Sequence, residues 1–271
     1  MSEERLRNIR GFLLDMDGTF YLSERIFPAS LGFMKYIAGC GIDYLFLTNN
    51  STRDREYYAQ KLKRLGFAAP SDKILTSGEA TARVLQGIRP GARLYVAGTP
   101  SLEKEFLDFG FTLVEEDPDF VVVGFDTTLT YQKLWKICDF VRLGVPYFAT
   151  HPDFNCPVDS VTGFMPDVGG IIAFVQVTAG GLPRVVGKPN REIIDIAVQK
   201  LGLEREQIAV VGDRLYTDIA SGLNAGMLSI LVLTGETCWE DVAQSPFTPD
   251  LIYDDLGALE KAMRRVHGMR G

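Results

Sequence analysis

The chain has 271 residues, 46% of them apolar, and a net charge of −7. That length buries a full core in one large domain or two unequal ones, and the apolar share excludes a disordered chain. The acidic balance gives no long-range attraction for a nucleic acid polymer or an anionic membrane, so a phosphate-bearing ligand needs a local positive group, a metal ion, or both. The four cysteines, Cys40, Cys138, Cys156 and Cys238, are widely spaced and read as free thiols. With two histidines in the chain, His151 and His267, a zinc site of the usual spacing is not expected. The N-terminus is charged and lacks a signal-peptide core, and no apolar run reaches membrane-spanning length, so a cytoplasmic protein is expected.

In chain order, Gly11–Leu14 reads as a buried strand ending at Asp15. Leu31, Met34 and Ile37 form the apolar stripe of a helix over 29–38. Tyr44–Leu47 is a second strand, ending at Thr48, and a helix follows over 53–65, closed by Gly66. Strands are expected near 94–97, 120–123 and 147–149, with helices over 101–109, 131–142 and 170–178. Ile208–Val211 leads into Gly212-Asp213, and a last buried strand covers 228–233. Apolar strands separated by helices indicate a parallel sheet covered on both faces. The middle stretch offers few carboxylates at strand ends. The expected organisation is therefore a core of 1–79 and 184–271 with a second, smaller α/β domain, 80–183, inserted into it.

Ligands of open α/β sheets bind beyond the carboxyl ends of the strands. Asp15 and Asp17, Thr48 and Asn49, and Asp213 fall at such ends, and Lys188 lies just before another helix. Carboxylates gathered in one place repel one another unless a cation is present, and magnesium suits a site with few carboxylates plus phosphate and water. Asp15 can then act as a nucleophile and form an aspartyl-phosphate. Asp17 is spaced to protonate the leaving alcohol and later to activate water. The Thr48 hydroxyl can donate to phosphate oxygens, and Lys188 can offset charge on the nucleophile and the phosphate. Thr48-Asn49-Asn50-Ser51 also fits a helix cap, a use compatible with phosphate binding.

In this order and spacing, the segments resemble the haloacid-dehalogenase-like (HAD) phosphatase superfamily. Asp15-Met16-Asp17-Gly18-Thr19 matches its first motif, Leu47-Thr48-Asn49-Asn50 its second, Lys188-Pro189 its third, and Gly212-Asp213 through Asp218 its fourth. The resemblance implies a Rossmann-like, doubly wound core with Asp15 as nucleophile and Asp17 as acid and base. It implies Mg²⁺ on the Asp15 carboxylate, the Asp17 carbonyl and Asp213, with Asp218 behind them. It also implies phosphate contacts from Thr48, Asn49 and Lys188. Asp17 excludes the dehalogenase branch, which lacks that carboxylate.

Thr76-Ser77-Gly78-Glu79 and Val186-Gly187-Lys188-Pro189-Asn190 narrow the likeness to the NagD-like, p-nitrophenyl-phosphatase-like subfamily, over essentially the whole chain. That implies a C2-type α/β cap that selects a small phosphate ester, and it admits a homodimer through the cap. In the expected cap, His151 stands where the family often has Asn. It either faces the leaving group or bonds local groups. Asp167 either orients substrate or caps the following helix. Phe125, Tyr131, Trp135, Tyr147 and Phe154 read as core. A phosphotransferase using the same intermediate and a non-catalytic phospho-acceptor are the competing readings.

Overall fold

A computed structural model describes residues 3–157, 161 and 163–268. The chain divides into two compact units. One comprises Met1–Thr48, Ala59–Leu75 and Lys188–Gly271, the other Asn49–Tyr58 and Thr76–Gly187.

The first unit holds a six-stranded sheet in the order Leu251–Tyr253, Leu228–Val232, Ile208–Gly212, Gly11–Leu14, Asp43–Thr48, Ile74–Thr76. The first five of these pair in parallel. Gly11–Leu14, Ile208–Gly212 and Leu228–Val232 are buried at every position, which is why their sequences are apolar throughout rather than alternating. From Gly11–Leu14 the chain builds outward in one direction. It later returns to build in the other, so the carboxyl ends of 11–14 and 208–212 flank a topological switch point. Edge-on aromatic contacts, Phe12 with Phe33 and Phe20 with Phe46, fill the core beside the central strands. The helix Arg55–Arg64 begins at Asp54, whose carboxylate accepts from the Tyr57 N–H. The capping alternative for Thr48–Ser51 is therefore not used.

The second unit holds a five-stranded parallel sheet in the order Arg184–Val185, Tyr147–Ala149, Phe120–Val123, Arg93–Ala97, Thr112–Leu113. Its helices start on side-chain caps. Thr76, Thr99 and Thr130 accept from the N–H groups of Glu79, Leu102 and Lys133. A further helix, Val168–Ala179, begins two residues before its expected start and is capped by Asp167, whose carboxylate accepts from the Val168 N–H. The core gathers Tyr95, Val121, Phe125, Tyr147 and Val175. Phe125 and Tyr147 are thus core residues, but Tyr131, Trp135 and Phe154 are exposed, against expectation. Tyr131 and Trp135 lie on the solvent side of the helix 131–142, whose buried residues are Ile137 and Cys138, with Leu134, Phe140 and Val141 packed against the same core. Among the described residues no disulfide joins any of the four cysteines. Among the described residues no helix is long and apolar enough to cross a membrane.

Candidate active site

At the carboxyl end of the first unit's sheet, Asp15 follows the strand Gly11–Leu14 directly, and its N–H donates to Val211 O on the neighbouring strand. Asp213 follows Ile208–Gly212. The next residues form a single π-helical turn, Leu215–Ile219, that carries Asp218 inward. Ligand oxygens of Asp15, Asp213 and Asp218 lie within 4.8 Å of one another. Lys188 reaches the same place from far along the chain. Its Nζ donates to Asp15 Oδ1 at 2.5 Å, to Asp218 Oδ1 at 2.6 Å and to Leu47 O at 3.2 Å. The structure therefore joins four of the expected residues in one buried cluster.

One ammonium faces three carboxylates. Burial raises the Asp15 carboxyl well above the usual range. Lys188 opposes that shift, and the charges of Asp218 and Asp213 add to it. Asp213 is pushed up to about 6, first by burial and then by Asp218, against the Glu236 N–H, Arg214 and the Thr19 hydroxyl. Lys188 is held firmly charged, because the attraction of Asp15 and Asp218 outweighs its burial. Surplus negative charge on hard oxygen donors suits a divalent cation such as Mg²⁺. The cradle is also shaped around Asp213. A Cβ on Gly18 would come within 2.5 Å of Asp213 Oδ2, and one on Gly235 within 2.0 Å. Asp213 is oriented by Thr19 Oγ1, which donates at 3.1 Å, and by the Glu236 N–H at 2.7 Å.

Asp17 differs from its neighbours. Its side chain is 55% exposed, with Lys61 Nζ 3.8 Å from Oδ2 and the Ser23 N–H 3.4 Å from Oδ1. The water it does lose raises its pKa, and Lys61 and Ser23 partly restore it. Gly18, at φ +90°, makes the turn in which its N–H donates to Tyr21 O. Thr48 is buried at the end of Asp43–Thr48.

Asn49 belongs to the second unit, where its Nδ2 donates to both oxygens of Asp153, at 3.3 and 3.2 Å. In the same unit His151 is fully buried. Its Nε2 lies 3.0 Å from Asp167 Oδ1 and its Nδ1 2.9 Å from Thr150 Oγ1. Of the two uses expected of Asp167, the structure shows the cap, and the same carboxylate meets His151.

Sequence reasoning missed Lys61, Thr19, Arg214 and Asp153. A lysine in an amphipathic helix reads as solvent-facing, yet Lys61 is only 8% exposed and lies over the Tyr21 ring at 4.1 Å. Arg214 pairs with Glu236 at 3.0 Å beside Asp213. The signal for it was its place directly after Asp213.

A parallel α/β unit with an Asp–Lys–Asp cluster at its switch point defines a class of phosphoryl-handling hydrolases. The family description "Haloacid dehalogenase-like hydrolase" matches residues 12–112, and a second, "HAD-hydrolase-like", matches 185–259. The chain is 35% identical over 252 residues to an acid sugar phosphatase of Staphylococcus haemolyticus, covering 93% of this chain and 95% of that one. Among solved structures, a 4-nitrophenylphosphatase from Thermotoga maritima is 45% identical with a TM-score of 0.92, over 96% of this chain and 99% of that one. A glycerol phosphate phosphatase from Mycobacterium tuberculosis, solved in complex with calcium, is 31% identical with a TM-score of 0.86, over 94% and 76%. The chain belongs to the haloacid dehalogenase-like hydrolases and is a phosphatase of their NagD-like, p-nitrophenylphosphatase-like branch.

Proposed function

We propose that the protein is a magnesium-dependent phosphomonoesterase that acts through a phosphorylated Asp15 on small phosphorylated metabolites, with sugar phosphates foremost. The observation that carries this reading is the Lys188 ammonium 2.5 Å from Asp15 Oδ1, inside a cluster of three carboxylates at the sheet's switch point. An Asp15 oxygen attacks phosphorus and the bond to the ester oxygen breaks. Asp17 gives that oxygen its proton. A water then attacks phosphorus, Asp17 takes up a proton, and inorganic phosphate and free Asp15 are released.

Asp15, the Asp17 carbonyl and Asp213 would hold Mg²⁺, with Asp218 behind them. The ion supplies positive charge for the phosphoryl oxygens. Lys188 offsets charge on Asp15, and Thr48, Asn49 and Lys188 bind phosphate. The second unit selects the ester, with Asp167 as its candidate residue. Sugar phosphates are favoured because the S. haemolyticus relative is an acid sugar phosphatase. A cytoplasmic setting suits four cysteines with no disulfide among the described residues.

The test is a phosphate-release screen over sugar phosphates, nucleotides, glycerol phosphate and p-nitrophenyl phosphate with Mg²⁺, alongside Asp15→Asn. Silence of the wild type on every ester would sink the phosphatase reading. Equal activity in the variant would sink the nucleophile assignment.

A further inference from the structure

The second unit contains a buried polar network in which His151, Asp153 and Ser77 take no part in the steps described above. The chain passes between the units at Thr48/Asn49, Tyr58/Ala59, Leu75/Thr76 and Gly187/Lys188. Three of these four crossings meet in the network. At the first, the Asn49 amide is clamped by both oxygens of Asp153, and the Asn49 carbonyl accepts from Ser77 Oγ at 2.5 Å. Ser77 is the second residue after the 75/76 crossing. At the last crossing, the Gly187 N–H donates to Thr150 O at 2.7 Å. Gly187 also packs without room for a side chain. Its Cβ would fall 2.5 Å from Thr150 O, 2.7 Å from Asn49 Oδ1 and 2.9 Å from His151 Cβ.

His151 stands in the middle. Nδ1 meets the Thr150 hydroxyl at 2.9 Å, which in turn meets Ser51 Oγ at 3.0 Å. Nε2 meets Asp167, the cap of the helix Val168–Ala179. That helix is tied back to the Asp153 segment by the Gly169 N–H on Asp153 O at 2.8 Å. His151 has no exposed surface, and Asp153 and Asp167 are each 6% exposed. Burying an imidazole and two carboxylates is costly unless every polar atom has a partner, and such satisfied networks fix one geometry.

We infer that His151 and Asp153 are positioning residues, which lock three chain crossings together inside the second unit and thereby set the placement of Thr48 and Lys188, each one peptide bond beyond the lock. This rests on the phosphatase reading only for its kinetic consequence. His151 on this account acts on every ester alike, because it touches the chain ends and not the leaving group.

The experiment compares His151→Ala, His151→Gln and Asp153→Asn with wild type, on p-nitrophenyl phosphate and on a sugar phosphate. In His151→Ala, kcat should fall ~10–100-fold on both esters with KM within about 3-fold, as expected for misplaced reacting groups. Gln can reach Asp167 with an amide, and His151→Gln should recover most of the loss. Melting temperatures above the assay temperature separate the effect from unfolding. A loss confined to one ester, or an unchanged kcat in both His151→Ala and Asp153→Asn, overturns the inference.

Peptide-level hydrogen exchange needs no activity. Segments 49–54 and 184–190 should exchange faster, by about 10-fold or more, in both Asp153→Asn and His151→Ala. Unchanged exchange there overturns the lock even if the wild type proves silent on every ester, an outcome that bears on the phosphatase reading separately.

Discussion

At the scale of single residues, Asp15 and Asp17 are two positions apart and live in different surroundings. Asp15 is 13% exposed and bonded to Lys188, whereas Asp17 is half exposed and faces Lys61 across 3.8 Å. That contrast suits a nucleophile and a proton carrier, and it makes separable predictions. Asp17→Asn should still accept the phosphoryl group from p-nitrophenyl phosphate, whose leaving group needs little protonation, and then stall for lack of a base. A burst of p-nitrophenolate of about one equivalent, followed by turnover slowed ~10²–10⁴-fold, is the expected time course in a stopped-flow trace. No burst together with full steady-state turnover would remove Asp17 from the mechanism. Lys61 opposes the upward shift of Asp17. Lys61→Met should leave Asp17 protonated to higher pH, so the alkaline limb of kcat/KM moves to higher pH. A pH–rate profile over several buffers reads this directly, and a downward move contradicts it.

At the scale of elements, the packing of the helices Ser77–Ile88 and Pro100–Asp108 puts two carboxylates in one buried space. Glu79 and Glu105 are 1% and 8% exposed, and Thr76 Oγ1 reaches Glu105 Oε1 at 3.4 Å. Burial first, and the charge of Glu79 second, push Glu105 up to about 8 from 4.5. The folded state therefore holds a proton that the unfolded chain has already released. This contribution to stability is complete below about pH 4.5 and is lost progressively as pH rises to about 8. Glu105→Gln, neutral throughout, should flatten that decline, with a melting temperature above wild type at pH 9 and no such gain at pH 5. Parallel melting curves for the two proteins at every pH would refute it. The elements themselves were legible. Uniformly apolar runs such as Phe120–Val123 announced buried parallel strands, and the helix expected over 131–142 is found there. The orientation of that helix was not legible, because Tyr131 and Trp135 look as apolar as core residues and only packing assigns them to solvent. In the same way, Asp15, Lys188 and Asp213 could be read from strand ends. The Asp153 clamp on Asn49 joins residues 104 positions apart, with no local pattern to mark it.

At the scale of the whole molecule, the two units bury different polar clusters. The second unit ties His151 to Thr150 and Asp167, and Asp153 to Asn49, in a hydrogen-bonded network. The first unit leaves Asp15, Asp213 and Asp218 facing a single ammonium. A hard cation that joins the folded cluster, and finds no such site in the unfolded chain, must stabilise the fold by mass action. At 100 times its dissociation constant the gain is about 2.7 kcal/mol. The melting temperature should therefore climb with Mg²⁺ concentration and fall back with a chelator, in the absence of any substrate. Asp213→Asn keeps the shape of the cluster but removes one charge, and it should abolish the climb while melting no lower than metal-free wild type. Protons compete for the same oxygens. With Asp213 titrating at about 6, the Mg²⁺-dependent gain should be full well above that pH and shrink as pH falls through it. Scanning calorimetry at two pH values, with and without Mg²⁺, makes the comparison. A wild-type melting temperature indifferent to Mg²⁺ at neutral pH would mean that Lys188 alone neutralises the cluster, and the proposed magnesium dependence would fail with it.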